Sequence, residues 1–483
     1  MHETAAQTST DDHRAGNGAT RFLSLGVFGG LLLLLLAAPL PYGAVEAWWE
    51  SVFECAIFAL TALSLVEWLL RGHSLLEREY WSLVVPLFAL FAYALLQTVP
   101  LFARATPAGA SLQPVSFDPF GTRLVALKIL ALALYLALLL RHTGSLRRLH
   151  ALTYAVVGVA LASALFGLAR QVSQRGADGF VLPDLRPGTG YAQFINKNHY
   201  AFLAEMALGL LAGHVVGRGV ARGRVLIYVA LAVPVWTTLV LSNSRGGVLA
   251  MLCQVIFVAL TYNAVRSRRQ MGEMTTGATR SRATAAALRF ALACALVIVI
   301  IVGVVWVGGD PLAERFGAVR EEAQSSSSSS DPSRTGRAAI WEATWRMCLA
   351  HPLAGTGFGG YWIAVTGFHD GSGELVPQQA HNDYLELWAS GGLIGVALAA
   401  WFVYSALSLA RARLTDPEPF RRAVSLGALT GLFGVAVHSL VDFGLHLTGN
   451  ALVCVALVAL ATVRVGTSTR NLARSQKTTS QPY

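Results

Sequence analysis

Charge is what this chain has least of. Asp, Glu, Lys and Arg make up 13% of its 483 residues, against roughly 25% in a soluble domain. A conventional water-facing fold is thereby excluded. Cysteine is scarce too, with five in all. Cys55, Cys253, Cys294 and Cys454 fall inside apolar runs, and Cys348 stands alone in a long polar stretch. That pattern excludes a disulfide framework.

What the chain has is apolar length. Hydrophobic residues make up 54%, gathered into twelve runs close to the roughly 20 residues a membrane-crossing helix needs. These are 22–40, 44–70, 82–99, 122–140, 149–169, 199–217, 225–242, 246–265, 288–307, 383–410, 423–441 and 446–463. The predicted fold class is an all-α polytopic transmembrane bundle of about 12 spans. Its divisions are a tail over 1–21, nine spans over 22–307, a long loop over 308–380, three spans over 381–465 and a tail over 466–483. The first run follows a polar stretch of mixed charge and exceeds the usual core of a signal peptide, so it reads as a retained helix.

The net charge of +10 raises a nucleic-acid reading, and its distribution answers it. With the N-terminus inside, 24 of the 37 Lys and Arg residues fall on cytoplasmic ends and 12 on the opposite side, with Lys128 inside the fourth run. Excess Lys and Arg marks the cytoplasmic side. Topology explains the basicity, no nucleic acid is implied, and both termini are expected in the cytoplasm.

That orientation gives the polar motifs a side. QQAHNDYLELWASGG opens the tenth run from outside with His381 and Asn382. A helix N-terminus offers unpaired N–H groups and partial positive charge, which favours an anion such as a diphosphate. The same field disfavours a charged imidazole ring, so His381 is expected to stay able to accept a proton. Asn382 suits the cap. Gly391, Gly392, Gly395 and Ala399 form a small-residue stripe that lets another helix approach. The plain alternative is a cap with a packing stripe and no chemistry.

Arg245 lies in LSNSRGG, between two runs with almost no loop. A guanidinium there faces water, an anion or a carboxylate, and it binds phosphate bidentately; simple snorkelling is the alternative. Asn198 and His199 open the sixth run in FINKNHYAFLAE. His438 and Asp442, in HSLVDFGLHLTGN, are four apart and so predicted to share a helix face. After the serine run of AQSSSSSSDPS, read as a hinge, Arg337, Trp341, Trp345 and Cys348 recur at helical spacing. The tryptophans suit a helix on the membrane surface. Arg245, Asn198, His199, Arg337, His381, His438 and Asp442 all fall on the outer side, and that clustering points to an anionic, lipid-linked substrate.

At these residues the chain resembles the O-antigen ligase and O-antigen polymerase superfamily of bacterial membrane glycosyltransferases. His381-Asn382 with Gly392 and Gly395 match its His-Asn-x9-Gly-x-x-small pattern, and Arg245 with Leu249 match its Arg-x-x-x-Leu pattern. NKNHYA and HSLVDF look like stretches common there, and the likeness covers roughly 190–450. HLTGN departs from the pattern at the residue before Asn450. The resemblance implies transfer of a glycan from an undecaprenyl diphosphate donor to a lipid or glycan acceptor, lipid A core among the candidates. It implies a periplasmic active site in the inner membrane, with no metal and no cofactor. His381 is then the essential histidine, Arg245 and Arg337 the diphosphate-binding arginines, and Asn198, His199, Asn382, His438 and Asp442 supporting residues. No Asp-x-Asp pair stands in an outer loop, in keeping with metal independence. A polymerase and a protein O-oligosaccharyltransferase are open alternatives. A lipid-glycan transporter fits less well, because transporters gather polar groups near the bilayer midplane.

Overall fold

A computed structural model describes residues 3–72, 74–106, 109–173, 190–217, 219, 221–273, 279–308, 337–369 and 376–466. The serine run, most of the loop over 170–198 and the C-terminal tail lie outside the described residues. Among the described residues the fold is all-α apart from one hairpin. Its helices are α1 (Glu3–Ala37), α2 (Ala47–Arg71), α3 (Trp81–Leu96), α4 (Pro119–His142), α5 (Leu146–Ser173), α6 (Lys197–Val216), α7 (Val225–Leu241), α8 (Arg245–Glu273), α9 (Thr279–Gly308), α10 (Arg337–Ala350), α11 (Asp383–Arg413), α12 (Pro419–His438) and α13 (Thr448–Thr462). A single helical turn, Tyr361–Ala364, follows α10, and strands Phe102–Thr106 and Gly109–Gln113 pair antiparallel between α3 and α4. Nine of these helices are long and apolar enough to cross a membrane, and three shorter ones are also apolar. The twelve fall one for one on the twelve runs of the sequence, and the chain is a multi-pass membrane protein by this architecture.

Helix ends follow local chemistry. Asp118 caps α4, its Oδ1 accepting from Gly121 N at 2.9 Å, with Pro119 opening the first turn. Fully buried Arg421 donates to the carbonyls of Leu460, Ala461 and Val463 at 2.8–3.0 Å. It supplies both the hydrogen bonds and the positive charge that the C-terminus of α13 lacks.

The centre is the pair α6 and α12, the most buried of the candidate spans. Each carries a Gly-x-x-x-Gly pair, Gly209/Gly213 and Gly427/Gly431. A Cβ on Gly209 would come within 2.3 Å of Gly431 N, and one on Gly213 within 2.2 Å of the Gly427 backbone. With little hydrophobic drive between helices in lipid, such close backbone approach is what fastens them. The crossing holds together the two helices whose ends carry Asn198, His199 and His438.

In α11 the stripe at Gly391–Gly395 has a different job from the expected helix contact. Gly392 takes φ 61°, ψ −171° and breaks the helix. The segment 352–358 fills the break: Leu393 N donates to Pro352 O at 2.9 Å, and Thr356 N and Gly357 N donate to Ala389 O and Ser390 O at 3.0 Å. From α3, Tyr93 Oη donates to Gly391 O and Gln97 Nε2 to Ser390 O, both at 3.0 Å. Broken backbone at membrane depth survives only when its polar groups are satisfied inside the protein. A Cβ on Gly392 would lie 2.1 Å from Leu353 O, so the glycine answers to backbone conformation and to this segment.

Candidate functional site

Asp442 is the hub. It lies 1% exposed in the turn after α12. Its Oδ1 sits 3.3 Å from His381 Nδ1 and accepts from Phe443 N at 3.0 Å. Its Oδ2 accepts from Asn198 Nδ2 and lies 3.6 Å from Arg337 Nη2. One carboxylate thus joins residues contributed by α6, α10, the mouth of α11 and the end of α12. Burial by itself would raise the Asp442 carboxyl. The His381 hydrogen bond and the charges of His438, Arg337 and His381 outweigh that, and hold it well below the usual carboxylate range.

His381 itself is held in an uncommon backbone state, φ +50°. Left-handed non-glycine residues cost conformational energy and concentrate at functional sites. The next residue, Asn382, caps α11: its Oδ1 accepts from Tyr384 N and Leu385 N at 3.0 Å, while its Nδ2 donates to Leu440 O at 2.9 Å. The cap therefore ties the histidine-bearing mouth to the Asp442 turn. His381 Nε2 makes no hydrogen bond to the described residues, and the side chain is 31% exposed. A base oriented by a carboxylate through one nitrogen, with the other open, has the geometry for proton transfer.

The His438–Asp442 pair departs from the expected shared helix face. Helix α12 ends at His438, and Asp442 N donates back to His438 O at 3.1 Å. The side chains then part. His438 stacks on Phe202 at 4.1 Å and its Nδ1 lies 3.1 Å from Glu205 Oε2, wholly buried between α6 and α12. Sequence reasoning missed Glu205, and at 233 residues' separation nothing local signals it.

Arg245 opens α8 on an exposed corner. Ser244 supports that start, accepting from Gly247 N at 3.1 Å. The glycines that follow lie against the site's helices. A Cβ on Gly246 would stand 2.5 Å from His438 Nε2, and one on Gly247 2.6 Å from Ala201 Cβ. The Arg245 corner is thereby set beside the buried His438–Glu205 pair. Helix α10 begins at Arg337, but its buried face is Ile340, Ala343, Thr344, Met347 and Cys348. Trp345 lies off that face: it is exposed and meets Trp388 of α11 edge-on at 5.3 Å. His199 is buried, its ring edge-on to Phe443 at 5.0 Å.

A family model described as O-antigen ligase matches residues 227–400. Over that segment the chain is similar to the O-antigen ligase family. That match covers well under half of the chain, and over it the sequence is similar to membrane glycosyltransferases of ligase or polymerase type. No curated protein matches the chain. The ligase segment contains Arg245, Arg337, His381 and Asn382; Asn198, His199, His438 and Asp442 lie outside it. Asp442 and Asn198 are thus brought to the ligase segment by neighbouring helices.

Proposed function

We propose that the chain transfers a glycan from undecaprenyl diphosphate to a lipid or glycan acceptor at the periplasmic face of the inner membrane, with both termini cytoplasmic. The reading rests on one observation above all. Buried Asp442 gathers His381, Arg337 and Asn198 at one point, with the Arg245 corner on the neighbouring helix mouth.

The chemistry follows from the groups. The donor bond joins a sugar carbon to a diphosphate, a good leaving group that needs no general acid. Negative charge grows on the phosphate oxygens as the bond breaks. Arg245 and Arg337 hold and stabilise that charge electrostatically. His381, oriented through Nδ1 by Asp442, takes the proton from the acceptor hydroxyl as its oxygen bonds to the anomeric carbon. The diphosphate leaves with the bonding electrons. One displacement inverts the anomeric centre, and no step calls on a metal. The test is transfer by the purified full-length chain from an undecaprenyl-diphosphate-linked glycan to lipid A core, with product anomer read by NMR. Inverted product on that acceptor is expected. Retention of configuration overturns the single displacement, and chains that grow only on lipid-linked repeats make the chain a polymerase.

A further inference from the structure

Beside the Asp442 hub stands a second polar assembly that the transfer step does not use. His446 Nε2 lies 3.5 Å from Asp383 Oδ1 and 3.5 Å from Glu386 Oε1. With its amide turned to donate, Gln379 bridges His446 Nδ1 at 3.2 Å and the Glu386 carboxylate. Ala380 N donates to Glu386 Oε2 at 2.8 Å, and Ser439 Oγ to Asp383 Oδ2 at 2.6 Å. From the far side Lys128 fixes the turn Gly444–His446, donating to His446 O at 2.7 Å and pairing with Glu50 at 3.1 Å. Among the described residues no three His, Cys, Asp or Glu side chains are placed to hold a metal ion.

Two further observations mark it as a place for a ligand. Asp383 Oδ1 has no hydrogen-bond partner among the described residues. Neither has Nε2 of His199, a side chain only 6% exposed. Buried polar atoms left unpaired are costly and call for a partner. Phe443 joins these groups. His381, His199 and His446 stand edge-on around its ring at 4.7, 5.0 and 5.9 Å.

The geometry points to a sugar subsite: Asp383, Glu386, His446 and His199 bind the hydroxyls of the acceptor ring, next to His381. This rests on the transfer reading above, and it divides the site in two. The arginines belong to the diphosphate. The carboxyl–imidazole wall has what a polyol needs, acceptors and donors at close spacing, and little that would attract a phosphate. It flanks His381, where the acceptor hydroxyl must lie to reach the base.

The experiment uses the full-length chain in a sugar-free detergent and two probes, a neutral methyl hexopyranoside and farnesyl diphosphate. Saturation-transfer NMR reads the glycoside. Wild type should give signal on the glycoside ring protons. An Asp383→Asn/Glu386→Gln double variant should bind it more weakly, by about fivefold for each hydrogen bond lost, while keeping farnesyl diphosphate affinity. His446→Gln, at the more exposed rim, should also weaken the glycoside; intact diphosphate binding shows that each variant is folded. Absence of glycoside signal in wild type, or equal signal in wild type and the double variant, overturns the subsite. Failure of farnesyl diphosphate to bind wild type instead overturns the donor reading.

Discussion

Two histidine–carboxylate assemblies sit at opposite sequence ends of this bundle, and they are built for different things. In one, His142 lies 2% exposed against Glu67 at 3.6 Å. Ser64 Oγ takes its Nε2 at 3.1 Å and Ser24 Oγ its Nδ1 at 3.4 Å. Arg71 pairs with Glu67 at 3.0 Å, and Arg148 donates to His142 O at 2.8 Å. Every face of that imidazole is occupied, and the cluster stitches α1, α2, α4 and α5 together. In the other, His381 spends one nitrogen on Asp442 and leaves the second open beside part-exposed Arg337. The residue types are the same. What separates a structural knot from a site is the unspent valence and the access to it.

The comparison can be broken from either side. His381→Ala should have the largest effect, a loss of turnover on the order of 10²–10⁴-fold, with normal insertion and with donor binding retained better than transfer. An in vitro transfer assay with purified protein checks it. Next comes Arg245. Loss of one charge-stabilising donor costs about 10²–10³-fold, and Arg245→Lys should also be impaired, because an ammonium cannot reproduce the bidentate fork. Wild-type turnover in Arg245→Ala at equal protein level would remove it from the site. Asp442→Asn should lower kcat as well, by releasing the orientation and tautomer of His381. The smallest effect on activity belongs to the closed cluster. Glu67→Gln should lower thermal stability by about 1–3 kcal/mol and leave turnover per folded molecule unchanged. A loss of kcat there with unchanged stability would mean that the two clusters are not distinct in kind.

Much of the Asp442 assembly was legible in the chain. Run lengths and Lys/Arg asymmetry put His381, Arg337 and Asn198 on one side, and the structure brings these three to one carboxylate. Asp442 as their hub was not legible. Four-residue spacing paired it with His438, but α12 stops at His438 and the turn aims the two side chains apart. Glu205, the true partner of His438, is set by the Gly-on-Gly crossing of α6 and α12, a tertiary fact. Gly392 was legible as a small residue but not as a break, because the demand for its conformation comes from the segment 352–358 that fills it.

The rate–pH profile of glycan transfer tests the central claim, that His381 oriented by Asp442 is the base. The Asp442 carboxyl is held well below its ordinary value. Its ion contacts are therefore in place above about pH 4, the unfolded carboxyl range, and are lost only as pH falls from there toward the lower folded value. Asp383 and Glu386 stand at the same mouth, so the profile is also taken in Asp383→Asn/Glu386→Gln, where a change that persists belongs to His381. The account predicts activity that holds on the alkaline side of neutrality and falls on acidification, as the base becomes protonated. Full activity at about pH 5 with loss above about 7 would contradict it, and would make His381 a cationic ligand of the diphosphate.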